Sequence, residues 1–251
     1  MPFHWVPGDA GAKLREARLE VITRIGDLAR KEDVDVVVVA GDFFDANTVD
    51  DRTVASACTR IREAKVPFVV IPGNHDFCAG PDSVYRRRHF VSTCPENLRV
   101  LSDRTPHVMR DGKLVLLPAP LTKRHSFEDT TLHLTEGFGR DVAPDAVRVG
   151  IAHGDVVGFA RDDDGAARNF IAPERATLAC LDYLALGDWH GLKQIDVRTW
   201  YSGAPEPTGF KDNGPGNVLL VTIDAPGAPP RVEPRAVAVT RFESWLRDLG
   251  A

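Results

Sequence analysis

No apolar run in this 251-residue chain approaches the roughly 20 residues a membrane span requires, and no signal-peptide pattern is visible. Cysteine is scarce too: Cys58, Cys78, Cys94 and Cys180 show neither a paired zinc spacing nor the density of a secreted disulfide scaffold. A soluble protein of the reducing cytoplasm is therefore expected. Basic charge is outnumbered, with 31 Lys and Arg against 36 Asp and Glu and a net charge of −5. Nucleic-acid binding would have to rest on local patches. No internal repeat or low-complexity tract is present. What remains is 43% hydrophobic and 27% charged, enough to bury a large core as one α/β domain, with a small appendage.

Four clusters stand out: GDFFD at 41–45, GNHD at 73–76, GIAHGD at 150–155 and GDWH at 187–190. Each follows an apolar, β-rich run. VDVVVVAGD at 34–42 has the continuous Val run of a strand buried on both faces, ending at Asp42. A helix from about Thr53 to Ala64 then leads to VPFVVIPGNHD at 66–76, which makes a βαβ unit. VRVGIAHGD and DYLALGDWH repeat the design, and ligands bind outside the carboxyl ends of such strands.

The residue types at these ends suit a pair of divalent cations. A carboxylate such as Asp42 can bridge two ions, Asn74 offers a neutral carbonyl oxygen, and His153, Asp188 and His190 add nitrogen and oxygen donors. The mixture fits Mn²⁺, with Fe²⁺ or Zn²⁺ as alternatives. Two such ions clamp a phosphate and activate water for in-line displacement. His75 is left to protonate the leaving oxygen.

At these residues the chain resembles the calcineurin-like metallophosphoesterase superfamily, over roughly residues 14–223. The resemblance implies an α/β fold, a four-layer α-β-β-α sandwich around a two-metal site. It implies Asp42 as bridging ligand, Asn74 and His153 on the second metal, His190 on the first and His75 as catalytic acid. Asp45 and Asp76 would orient the ligands. The helix before GDFFD, the phrase VPFVVIPGNHD and YSGAPEPTGF at 201–210 are similar to the SbcD-like nuclease subunits of bacterial double-strand-break repair complexes. That branch implies an exo- or endonuclease acting on DNA, an SbcC-like ATPase as partner and a possible homodimer. The alternatives are a phosphatase or small-molecule phosphodiesterase, which the acidic pI favours, and a catalytically degenerate scaffold subunit.

Two departures qualify the match. No Asp-x-His precedes GDFFD, so the sandwich is expected to lack its N-terminal strand, and site one keeps only Asp42 and His190. Met1 is accordingly read as a late start, and one ion, held by Asp42, Asn74, His153 and Asp188, is expected in the chain as written. Asp188 itself stands where the family has the first His of Gly-His-x-His, and its charge favours harder ions. His4 has no strand around it to make it a substitute ligand.

Lys123 and Arg124, after the strand KLVLLPAPL, are candidate phosphate or DNA contacts. Arg86, Arg87 and Arg88 read more simply as a solvated helix face. His89, His107, His125 and His133 read as structural or solvent-facing. Asp162-Asp163-Asp164-Gly165 lacks the spacing of a calcium loop and reads as an exposed loop. The remaining pattern predicts a helix over 12–31, a helix near 127–137 and a strand at 113–121, with strands at 147–153 and 183–187 and the closing strands 196–202 and 217–223 completing a second sheet. The metallophosphoesterase domain is placed at 1–223. APGAPP at 225–230 opens a 224–251 appendage of one strand and one short helix.

Overall fold

The computed structural model describes residues 6–158, 169–210 and 214–243. His4, the Asp162–Gly165 loop and the expected last helix lie outside the described residues.

Helix α1 (Gly8–Lys31) leads into β1 (Val37–Ala40), α2 (Asp51–Ala64) and β2 (Phe68–Ile71); a 3-10 turn, α3 (Arg88–Thr93) and β3 (Leu98–Val100) follow. Strands β1, β2 and β3 form a parallel sheet in that order, with Ala40 opposite Ile71 at the carboxyl end. Alternation decides where each side chain goes. Val37, Val39, Phe68 and Val70 turn to the helices, whereas Val38, Ala40, Val69 and Ile71 turn to the second sheet.

Helix α2 starts at Asp50, whose carboxylate accepts from the Thr53 amide at 2.9 Å. It buries Val54, Ala57, Cys58, Ile61 and Ala64, one stripe at helical spacing, and stops at Lys65 in the left-handed region. α1 packs against α2 on the outer face.

The second sheet is built from β4 (His107–Met109), β5 (Leu114–Ala119), β6 (Val147–His153), β9 (Tyr183–Gly187), β10 (Lys193–Gln194) and β11 (Thr199–Tyr201), in the order β10-β11-β9-β6-β5-β4. Leu116, Ile151 and Tyr183 meet Val69 and Ile71 of the first sheet, so the two sheets share one apolar layer. The opposite face, with Leu117, Leu184 and Leu186, is covered by Leu134, Ala176 and Leu181. β7 (Asp155–Val156) and β8 (Phe170–Ile171) pair beside it, and the short α4 (Arg175–Leu178) completes the cover.

Two expectations need correction. Residues 127–137 are turns, because Asp129 accepts from the Thr131 amide at 2.7 Å and the Arg175 guanidinium draws the same carboxylate into the core. Residues 217–222 do not join the second sheet: β12 (Asn217–Thr222) pairs antiparallel with β13 (Arg231–Ala236), and residues 225–230 form the connection between them. The Arg86–Arg88 stretch is also less regular than a helix face. It crosses from the 3-10 turn into α3, and Arg87 at the break donates to the Val49 carbonyl at 2.7 Å.

Among the described residues no strand precedes α1, and β1 is hydrogen-bonded to a strand on one side only. No helix there is long and apolar enough to cross a membrane.

Candidate metal centre

The carboxyl ends of β1 and β2 meet those of β6 and β9 where the sheets touch. His153 lies opposite Gly187 in register, and its Nδ1 donates to the Ala40 carbonyl at the end of β1, at 2.8 Å. A carbonyl can only accept, so Nδ1 carries the proton and Nε2 faces the crevice. Around Nε2 stand Asn74 Oδ1 at 3.1 Å, Asp42 Oδ2 at 3.3 Å and Asp188 Oδ1 at 3.5 Å. Ligand atoms of Asp42, His153 and Asp188 all lie within 4.8 Å of one another.

Glycine makes this approach possible. A Cβ on Gly73 would fall on the Asp42 carboxylate, and one on Gly187 would fall on the Ala40 carbonyl. Asp42 and Asp188 themselves take positive φ, 53° and 97°, a conformation costing about 1–3 kcal/mol each that tends to persist at functional sites.

The electrostatics call for a cation. Burial by itself would lower the His153 pKa, but hydrogen bonds and charge from Asp188 and Asp42 overcome it and hold the imidazole up to about 10. Burial likewise works to raise the Asp42 carboxyl. The His153 partner and the His75 amide, which donates to Oδ1 at 2.8 Å, hold it below the usual range. A proton on Nε2 thus occupies the position where two carboxylates, an amide oxygen and an imidazole converge. That donor set fits a divalent cation.

The other expected site residues sort by what they touch. Asp76 is fully buried and accepts from the Gly73 amide at 2.7 Å, the Phe44 amide at 3.1 Å and the Tyr85 hydroxyl at 2.5 Å. It ties the GDFFD and GNHD turns together, and burial pushes its carboxyl up despite those donors. Asp45 works differently. Its carboxylate pairs with Arg18 of α1, while its backbone carbonyl accepts His75 Nδ1 at 2.9 Å. His75 is exposed at the lip of the crevice.

His190 is also exposed and stands outside the Asp42, His153 and Asp188 group, with Nδ1 3.3 Å from Thr208 Oγ1. Lys123 and Arg124 are exposed on the loop after β5, whose Leu121 and Thr122 carbonyls accept from the Cys78 and Ala79 amides just beyond GNHD. Of the remaining histidines, His133 bonds the Pro118 carbonyl at 2.9 Å and His89 lies 3.9 Å from Asp51.

Several contributors escape sequence reading. The Ala40 carbonyl has no residue signature, and Tyr85, Arg18 and Thr208 stand in no strand-end motif. Trp189 could have been noticed inside GDWH. It packs on the outer core of the second sheet, with Lys193 Nζ 4.9 Å from its ring centroid.

These parallel strand ends and their converging donors are those of a metallophosphoesterase, and residues 5–155 match the family model described as calcineurin-like phosphoesterase. The chain belongs to that family. The match includes Asp42, Asn74, His75 and His153; Asp188 and His190 lie beyond it.

Among individual proteins, the chain is similar to the DNA double-strand break repair protein Mre11 of Saccharolobus solfataricus, 24% identical over 39% of this chain and 26% of that one. It is also similar to Mre11 of Sulfurisphaera tokodaii, 37% identical over 23% of this chain and 16% of that one. The matches thus span about a quarter or less of these relatives' lengths. The crystal structure of TT1561 from Thermus thermophilus superposes with a TM-score of 0.54 over 88% of this chain and 94% of that one, at 15% identity. That likeness speaks for the fold.

Proposed function

We propose that this chain is a metal-dependent phosphodiesterase that cleaves DNA in double-strand-break repair. The observation that carries the reading is His153, held through Nδ1 by the Ala40 carbonyl so that Nε2 faces Asp42, Asn74 and Asp188. These four residues would hold one ion, with Mn²⁺ matching an oxygen-rich set containing a single nitrogen. Asp42 and His190 would contribute to a second. When bound, the metal supplies Lewis-acid polarisation of the phosphoryl group and neutralises its developing charge.

The chain's own residues supply the rest. His75 keeps Nδ1 on the Asp45 carbonyl, so its Nε2 is a bare acceptor in the neutral ring and a proton donor in the imidazolium. As imidazolium it gives that proton to the leaving oxygen. Lys123 and Arg124 lie on a rim loop stitched to the GNHD segment, where they can hold flanking phosphates. DNA as substrate draws support from the name of the Mre11 relatives and from the SbcD-like phrases. The SbcD-like phrases support an SbcC-like ATPase and a second copy as its partners, and four cysteines without paired spacing support the cytoplasm as its compartment.

One observation favours a second reading, a phosphatase or small-molecule phosphodiesterase: the net charge of −5. A panel of linear duplex DNA, a bis-aryl diester, aryl monoesters and cyclic nucleotides, each with Mn²⁺, separates the two. DNA and the bis-aryl diester are expected to be cleaved. Hydrolysis confined to monoesters or cyclic nucleotides would overturn the nuclease reading.

A further inference from the structure

The pair between Arg18 and Asp45 is out of keeping with its setting. It is bidentate, with Nη1 to Oδ2 at 2.9 Å and Nη2 to Oδ1 at 2.7 Å, yet the two side chains are 27% and 51% exposed. An ion pair so open to solvent adds little to stability. The two-bond geometry does fix orientation, since a planar guanidinium accepts a carboxylate in essentially one way.

What it orients is the backbone of Asp45. Within the turn after β1, Asp42 is held by the His75 amide, Phe44 by Asp76, and Asn47 by its bonds to the Phe77 carbonyl and the Val84 amide. Asp45 sits between these anchors, and among the described residues its side chain is bonded to Arg18. Its carbonyl is the acceptor that holds His75 Nδ1 at 2.9 Å. A rotation of the Asp45 peptide would release the imidazole, whose ring is otherwise exposed, and the Nε2 proton would no longer be aimed by the protein.

We propose that Arg18 is a positioning residue for His75. By clamping Asp45 it fixes the carbonyl that holds the ring in the Nδ1–H tautomer, with Nε2 turned to the leaving group. The inference rests on the reading of His75 as the acid, and α1 thereby acts on the chemistry without touching substrate.

Two readouts test it, with Arg18→Ala set against Arg60→Ala, which removes the two ion pairs from α2 to Glu16 and Glu20 of α1. In ¹⁵N spectra of the ring nitrogens taken in Mg²⁺ buffer, His75 is identified by the signal that disappears in His75→Gln. The parent and Arg60→Ala are expected to show the Nδ1–H tautomer, and Arg18→Ala a shift toward Nε2–H. In turnover, Arg18→Ala is expected to lose about 10-fold in kcat on DNA, whose alkoxide leaving group needs a proton, with KM and metal content unchanged. On bis-p-nitrophenyl phosphate, whose leaving group needs none, kcat should stay within about twofold of the parent. An unchanged tautomer in Arg18→Ala overturns the proposal, as does an equal loss on both substrates. A parent that cleaves neither diester overturns the phosphodiesterase reading instead, and the tautomer still decides what Arg18 does to the ring.

Discussion

His153 is a buried imidazole among acids, and its protonation has consequences for stability and for metal uptake. Its pKa is raised from 6.5 in the unfolded chain to about 10 in the fold. A raised value means that the folded state binds the proton more tightly, so the stabilisation is fully present below about pH 6.5 and is lost as pH rises through about 10. Metal binding must displace that proton. Calorimetry in buffers of different ionisation enthalpy should therefore show proton release on Mn²⁺ binding at pH 7, and tighter binding as pH rises toward 9. Binding without proton release would mean that His153 is not a ligand. The candidate ligands Asp42, Asn74, His153 and Asp188 are legible in the sequence because residue type and strand-end position agree at each. The partners that aim them are not: a backbone carbonyl such as that of Ala40 leaves no mark in a sequence, and Arg18 reaches Asp45 across the fold.

Strands β1, β2, β6 and β9 are readable because a Val- or Leu-rich run closed by Gly-Asp or Gly-Asn admits few other structures. The 127–137 segment is not. Asp129 offers the backbone a turn in place of the expected helix and pairs with Arg175, a contact 46 positions away that no local pattern encodes. The β12–β13 pairing is missed for another reason: the Pro- and Gly-rich 225–230 stretch reads as a linker, whereas it connects two antiparallel partners. The two sheets approach each other closely at Gly187. Gly187→Ala places a methyl on the Ala40 carbonyl and should destabilise the fold by about 1–3 kcal/mol, as overpacking does. It should also displace His153 from Asp42, so urea unfolding and metal titration are expected to change together. Parental behaviour in both would mean that the strand ends are not in close contact.

At the scale of the whole molecule the balance of charge is acidic, and a grip on DNA would have to rest on local groups of exposed cations such as Lys123 and Arg124. Each phosphate contact removed lowers the salt dependence of binding by about one unit of slope, so replacing both by Ala should weaken DNA binding at low salt and flatten the slope by up to about two. An unchanged slope would assign them to solvent. All of this presupposes that the four strand ends hold a metal ion, and metal content is the direct test. The parent, Asn74→Ala and His153→Ala are to be loaded with Mn²⁺, desalted and assayed by elemental analysis beside a circular dichroism spectrum of each. The parent should retain at least one ion per chain, and the two variants, still folded, should lose it. Metal content undiminished in both folded variants would contradict the assignment of the centre.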